Sequence, residues 1–121
     1  DLKESIGSFG LNKLVTIYNS HKVYLNTTVS SAMPRSRGEA AMSGTPIVTT
    51  KNYGIGSYFK NNKSCIYADS KEDMLKAVIK VMKTDSLQED LGSYAREVAI
   101  KHFNIKDYID RWEHVIKKSS A

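Results

Sequence analysis

Residues 22–50 read KVYLNTTVSSAMPRSRGEAAMSGTPIVTT and contain two strand patterns on either side of a short helix pattern. The apolar run at Val23, Tyr24 and Leu25 has the length of a buried strand, and the β-branched run at residues 47–50 predicts a second one. A strand, a crossover helix and a second strand make a βαβ unit with parallel strands. The loop after the first strand then lies at the carboxyl edge of the sheet, where ligands of such folds bind.

The segment between these strands has start and stop signals for a helix. Ser30 and Ser31 are predicted to cap its N-terminus, and Pro34 fits its first turn because no amide hydrogen is needed there. Gly44 stands where the helix must end, and Pro46 follows it. We therefore expect unpaired backbone N–H groups between the loop and the first helical turn.

The same residues resemble a known family. Residues 33–50 are similar to the second E-x7-E region of the retaining nucleotide-sugar glycosyltransferases with the two-domain GT-B fold, in which a helix carries an E-A-M-x-x-G-T-P-V-V block. Residues 39–48, EAAMSGTPIV, have the same layout. A looser resemblance extends over about residues 6–116. It implies an α/β fold with a Rossmann-like parallel sheet of about three strands flanked by helices. Residues 1–121 would form a single partial nucleotide-sugar-binding domain, the later half of the C-terminal, donor-binding domain.

The rest of the chain alternates helix and strand patterns. Apolar spacing predicts a first helix over about residues 10–20, and residues 64–68, SCIYA, are the third strand candidate. Three helices follow, and each is predicted to begin with a capping pair: Ser70 with Asp73, Ser86 with Glu89, and Asn104 with Asp107. All three are predicted to pack as layers. The last, over residues 105–118, would place Tyr108 and Trp112 in the core.

Three strands are fewer than a doubly wound sheet normally has. The resemblance implies that the front of the domain and the acceptor-binding domain have no counterpart here, so we expect a further N-terminal domain or a partner chain. The start at Asp1 without Met is that expected of a piece of a longer protein. A sheet that lacks the strands of the front of the domain exposes the edge of its first strand, residues 23–26. We predict that this edge pairs with another chain or with residues 1–9.

Composition and charge limit the class of protein. Of the 121 residues, 40% are hydrophobic and 26% are charged, as in an ordinary globular protein. No apolar run approaches the roughly 20 residues of a membrane span, and the single Cys65 fits a reducing, cytoplasmic compartment. The net charge of +5 suits a phosphate-rich ligand or nucleic acid. Because the lysines are spread along the chain, nucleic acid is the less favoured partner.

The resemblance assigns the principal binding residue. In the family, the second glutamate accepts hydrogen bonds from the ribose hydroxyls of the sugar nucleotide, and this role falls on Glu39. A carboxylate offers two acceptor oxygens to a vicinal diol. The alternative is a merely solvated carboxylate. The first glutamate would fall at Ser31 and is absent, so the sequence does not assign the donor sugar.

Residues before Glu39 complete the predicted donor site. The loop and helix start at residues 30–35 offer N–H groups to phosphate oxygens, and Arg35 and Arg37 could pair with phosphate directly or simply form a solvated helix face. The predicted substrate-binding residues are Glu39, Ser30, Ser31, Met33, Arg35, Arg37, Thr27 and Thr28. No catalytic residue is assigned. We expect no metal or cofactor, since the three histidines share no ligand spacing and the nucleotide-sugar is itself a substrate.

Two functions are compatible with these residues. The first is transfer of a glycosyl unit from a nucleotide-sugar to an acceptor that the sequence does not identify, with this chain as an incomplete part of a larger enzyme. The second is a non-catalytic, basic α/β module that binds nucleic acid or a protein partner.

Overall fold

The structure, a computed structural model, describes residues 10–120. Its elements in chain order are α1 (Leu11–Ser20), β1 (Tyr24–Asn26), α2 (Arg35–Met42), β2 (Ile47–Thr49), β3 (Ile66–Tyr67), α3 (Lys71–Lys83), α4 (Asp85–His102) and α5 (Ile105–Ser119). A 3-10 turn, Ile55–Ser57, lies between β2 and β3. The described strands form one parallel sheet in the order β1-β2-β3. This confirms the predicted Rossmann-like α/β class and the parallel βαβ unit.

The central strand, β2, is buried along its whole length, as expected for a parallel strand covered on both faces. Leu25 is opposite Val48 on one side of it, and Tyr67 is opposite Thr49 on the other. The third strand is shorter than the predicted residues 64–68. The preceding residues instead make a tight turn, with Asn62 at φ 59°.

Side chains of β2 alternate between two hydrophobic clusters, one on each face of the sheet. On the first face, Ile47 packs with alanines of α2 and α4, and on the second, Val48 packs with α3 and the start of α4. The buried residues of the first cluster are Ala40, Ala41, Ile47, Ile55, Phe59, Cys65, Ala95 and Ala99. Because the facing residues of α2 and α4 are mostly alanine, the two helices can approach closely and bring the end of α4 near α2.

The closest contact between α2 and α4 lies where α4 crosses the end of α2. Gly44 ends α2 with a φ of 72°, in the left-handed region that glycine adopts readily, so the predicted stop signal is confirmed. Gly92 is buried in α4 directly against this turn, and a Cβ placed on it would overlap the carbonyl oxygen of Gly44. The glycine at position 92 is therefore what allows the crossing.

Of the three predicted capping pairs, two are confirmed and one is wrong. Ser70 Oγ accepts from the Asp73 N–H at 3.1 Å, and Asn104 Oδ1 accepts from the first N–H groups of α5. The start of α4 differs from the prediction, because the helix begins at Asp85, before Ser86, and no side chain caps it. Gln88, in the first turn of α4, donates from its side-chain Nε2 to the carbonyl of Val81 and so links the start of α4 to the end of α3.

We predict that Ser70→Ala lowers the free energy of unfolding by about 1 kcal/mol, because the N–H of Asp73 loses its acceptor. Ser86→Ala is the matched control and should change it by less than about 0.5 kcal/mol, since Ser86 caps nothing. Urea unfolding of both variants measures the difference. Equal losses would mean that α4 begins at Ser86, as the sequence pattern predicts.

The last helix contradicts the prediction that it forms a packing layer. α5 covers the predicted residues 105–118, but none of its residues is buried. Tyr108 and Trp112 are 55% and 53% exposed, so the prediction that they belong to the core is wrong. The apolar residues do lie on one face of the helix, as their spacing predicts, but no element within residues 10–120 covers that face.

None of the helices in residues 10–120 is long and apolar enough to cross a membrane.

The first strand lies at the edge of the sheet, as predicted. Leu25 is half-exposed there, and within residues 10–120 only β2 pairs with β1. The predicted pairing with residues 1–9 falls outside the described residues.

Candidate functional site

A buried asparagine holds the loop that follows β1. Asn52 comes shortly after β2, and its side-chain Nδ2 donates to the carbonyls of Thr28 and Ser31. Thr50 Oγ1 also donates to the carbonyl of Thr28, while the N–H of Thr28 donates to Asn26 Oδ1 at 3.0 Å. Side chains at the ends of β1 and β2 therefore fix the path of the loop at the carboxyl edge of the sheet.

Arg37 of α2 holds the same loop through hydrogen bonds from its guanidinium group. The side chain is fully buried, and its Nη1 donates to Asn52 Oδ1 at 2.6 Å and to Thr49 Oγ1 at 3.3 Å. Its Nη2 donates to the carbonyl of Ala32 at 2.9 Å. Burial lowers the pKa of the Arg37 guanidinium. The alternative of a solvated helix face is therefore wrong for Arg37, because its side chain is buried and anchors the loop from inside. Arg37 does not line the cavity described below, and its direct contact with phosphate stays a prediction.

Glu39 lies one turn after Arg35 on α2 and is half-buried. Tyr18 of α1 donates from its hydroxyl to Glu39 Oε2 at 3.3 Å and to the carbonyl of Ser36 at 3.4 Å. Burial, and secondarily the negative charge of Glu39, raise the pKa of Tyr18 to about 12. Tyr18 therefore remains a neutral donor that orients the carboxylate, and Glu39 Oε1 accepts no hydrogen bond in residues 10–120.

A cavity of about 360 Å³ lies beside this carboxylate. We call it the donor cavity, after the donor site that the sequence predicts here. Its lining residues are Met33, Pro34, Arg35, Gly38, Glu39, Met42 and Phe103. The wall is mostly apolar and carries two opposite charges, Arg35 and Glu39, which are four residues apart and so lie on one face of α2. No ion pair joins these two side chains within the described part of the chain, so both are available to a ligand.

The predicted site residues take three kinds of position. Met33, Arg35 and Glu39 line the donor cavity together. Thr27, Ser30 and Ser31 are exposed on the loop and do not line it, while Thr28 is half-buried and held by Asn52. Arg37, as described above, is buried beneath the loop.

The prediction that Ser30 and Ser31 cap α2 is wrong. The helix begins at Arg35, Pro34 is its N-cap residue, and no side chain caps it. A residue before proline avoids the helical conformation, so Met33 cannot extend the helix toward the serines. The predicted supply of free N–H groups therefore moves to the first turn of α2, next to the donor cavity.

Sequence reasoning missed three residues that shape this site. Asn52 could have been found, because a polar residue just after a buried strand lies at the carboxyl edge of the sheet. Tyr18 and Phe103 come from α1 and from the end of α4, and nothing in the local sequence connects either of them with α2. Their contacts depend on how the helices pack.

The described residues form a Rossmann-like α/β domain built on a parallel sheet. The family model described as "Glycosyl transferase-like" matches residues 4–114, and the chain belongs to this glycosyl transferase-like family. No curated protein matches the sequence.

Two solved structures share the fold. A crystal structure of a Staphylococcus aureus TarM mutant in complex with fondaparinux, α-GlcNAc-glycerol and UDP matches 83% of this chain with a TM-score of 0.74 and 22% identity. A crystal structure of Anabaena Alr3699/HepE in complex with UDP-glucose matches 84% of this chain with a TM-score of 0.73 and 15% identity. The match covers 21% of the TarM chain and 29% of the HepE chain, so this chain spans less than a third of either protein.

Proposed function

We propose that this chain is the donor-binding part of a glycosyltransferase, which transfers a glycosyl unit from a nucleotide-sugar to an acceptor. One observation carries the proposal: Arg35 and Glu39 stand on successive turns of α2 and line a single, largely apolar cavity. A further domain or a partner chain would hold the acceptor, so the chain alone is not expected to turn over substrate.

The ribose, the diphosphate and the base of a nucleotide-sugar each have a matching group in the donor cavity. Glu39 would accept hydrogen bonds from the ribose diol, because Tyr18 occupies only one of its carboxylate oxygens. Arg35 and the uncapped N–H groups of the first turn of α2 suit the diphosphate. Met33, Met42 and Phe103 supply apolar surface for the base or the ribose ring.

The same groups would assist the transfer step. When the glycosidic bond to the diphosphate breaks, negative charge builds on the departing phosphate oxygens. Donors that are already oriented stabilise this charge without reorganising. Arg37 and Asn52 contribute indirectly, since their hydrogen bonds hold the loop that leads into α2.

Membership of the glycosyl transferase-like family supports the proposal, and so do the two structural neighbours, whose structures contain UDP and UDP-glucose.

Retention of configuration, independence of metal ions and a cytoplasmic location remain predictions. Retention follows only from the family resemblance. Cys65 is buried and in no disulfide, which is in keeping with a reducing compartment.

Amide chemical-shift mapping tests the proposed function against the alternative of a basic nucleic-acid-binding module. We expect UDP to shift amides of α2 and of Met33 and Phe103. We expect a short DNA duplex to leave them unchanged. Shifts by DNA across the lysine-bearing helices α3 and α5, with none in α2 by UDP, would overturn the proposal.

A further inference from the structure

A second cavity, here called the lysine–tyrosine cavity, lies between α4 and the segment that follows the 3-10 turn. Its volume is about 360 Å³. The lining residues that matter for its chemistry are Tyr58, Lys60, Lys63, Tyr94, Glu97 and Lys101. No residue of this cavity lines the donor cavity, and Phe103 stands between them, packing on Tyr58 on one side and lining the donor cavity on the other.

The charges of this cavity are unbalanced. Three lysines face one glutamate, and none of the four forms an ion pair within residues 10–120. Glu97 and Lys101 are four residues apart on α4, in the order that favours pairing in a helix, yet they do not pair. The cavity therefore presents an excess of positive charge that an anionic group on a ligand would neutralise.

Most of the walls are already ordered. Lys60 Nζ donates to the carbonyl of Gly56, and Lys63 Nζ lies 5.3 Å from the centre of the Tyr94 ring. The ring of Tyr58 packs edge-on against His102, with ring centres 5.2 Å apart. These contacts restrain two aromatic rings and two cations before any ligand enters, which lowers the entropic cost of binding.

Other polar groups remain uncommitted. Lys101 Nζ, the Glu97 carboxylate and the hydroxyls of Tyr58 and Tyr94 have no hydrogen-bond partner in residues 10–120. Lys101 offers three N–H donors to an anion. Glu97 would repel a bare phosphate, but it can accept hydrogen bonds from hydroxyl groups next to one.

We propose that the lysine–tyrosine cavity binds a phosphate-bearing saccharide. Lys101 pairs with the phosphate, with Lys60 and Lys63 adding positive charge around it. Glu97 accepts from sugar hydroxyls, and the rings of Tyr58 and Tyr94 form the apolar surface against which a sugar ring lies. This site is separate from the donor cavity and does not depend on the function proposed for it.

NMR titrations of the 121-residue chain with glucose 6-phosphate, inorganic phosphate and glucose test the parts of this proposal separately. We expect glucose 6-phosphate to bind more tightly than either other probe and to shift amides of Tyr58, Lys63 and Tyr94. Inorganic phosphate binding as tightly as glucose 6-phosphate would overturn the saccharide part. Shifts confined to α2 would overturn the location.

Variants of exposed side chains complete the test. Lys101→Gln should weaken binding of glucose 6-phosphate about tenfold, because a hydrogen bond to a charged group is lost. Glu97→Gln should weaken the binding of glucose 6-phosphate more than the binding of inorganic phosphate. The matched control is Lys76→Gln on α3, an exposed lysine away from the cavity, which should have no effect. An equal loss in Lys101→Gln and Lys76→Gln would show only a general charge effect and contradict the proposal.

Discussion

Replacing Gly92 by Ala is expected to lower the free energy of unfolding by about 3 kcal/mol, the upper end of the usual cost of overpacking. Alanine is ordinarily the better helix residue by about 1 kcal/mol, so the expected loss runs against helix propensity. The reason is backbone overlap. The new Cβ would meet the carbonyl oxygen of Gly44 and lie 3.2 Å from its carbon, and neither can move without shifting the turn that ends α2.

Denaturant unfolding measures this effect, with Ser93→Ala as the control on the neighbouring, exposed position of the same helix. The control should stay within about 0.5 kcal/mol of the wild type. If Gly92→Ala were as stable as Ser93→Ala, α4 would not cross the turn at Gly44 as described. The position of Phe103 beside α2 would then also be in question.

Replacing Arg37 by Met should lower the free energy of unfolding by about 3 kcal/mol and also weaken nucleotide binding. The stability loss arises because Asn52 Oδ1 and Thr49 Oγ1, which belong to buried residues, lose a charged donor. Binding weakens because the loop leading into α2 loses its internal support.

Arg35→Met separates the two roles of these arginines. Arg35 is exposed and lines the donor cavity, so this variant should bind UDP less tightly while its unfolding free energy stays within about 0.5 kcal/mol of the wild type. Calorimetric titration with UDP and urea unfolding of both variants give the comparison. Equal stability of the two variants would contradict the anchoring role of Arg37.

The sequence predicts the architecture well because its signals are local. Apolar runs mark the strands, Gly44 marks the end of α2, and the side chains of Ser70 and Asn104 mark the starts of α3 and α5. The wrong cap at Ser86 shows the limit of such signals. The pattern is present, but α4 begins before it, at Asp85, where Gln88 of the first turn is hydrogen-bonded to the end of α3.

The site is less predictable from sequence than the fold. Met33, Arg35 and Glu39 are close in sequence, and a motif of the family identifies their segment. The burial of Arg37 is not visible in the sequence, because it depends on contacts with Thr49 of β2 and with Asn52 in the loop after β2. The exposure of α5 has a similar cause. Helical spacing shows which face is apolar, but it does not show whether another element covers that face.

The affinity of the chain for UDP, compared between the wild type and Glu39→Ala, tests the donor site at its principal residue. Glu89→Ala, an exposed glutamate on α4, is the control. If Glu39 accepts hydrogen bonds from the ribose hydroxyls, its removal should weaken UDP binding about tenfold while the control binds as the wild type does. Equal affinity of Glu39→Ala and the wild type would contradict the assignment of the donor cavity as the nucleotide-sugar site.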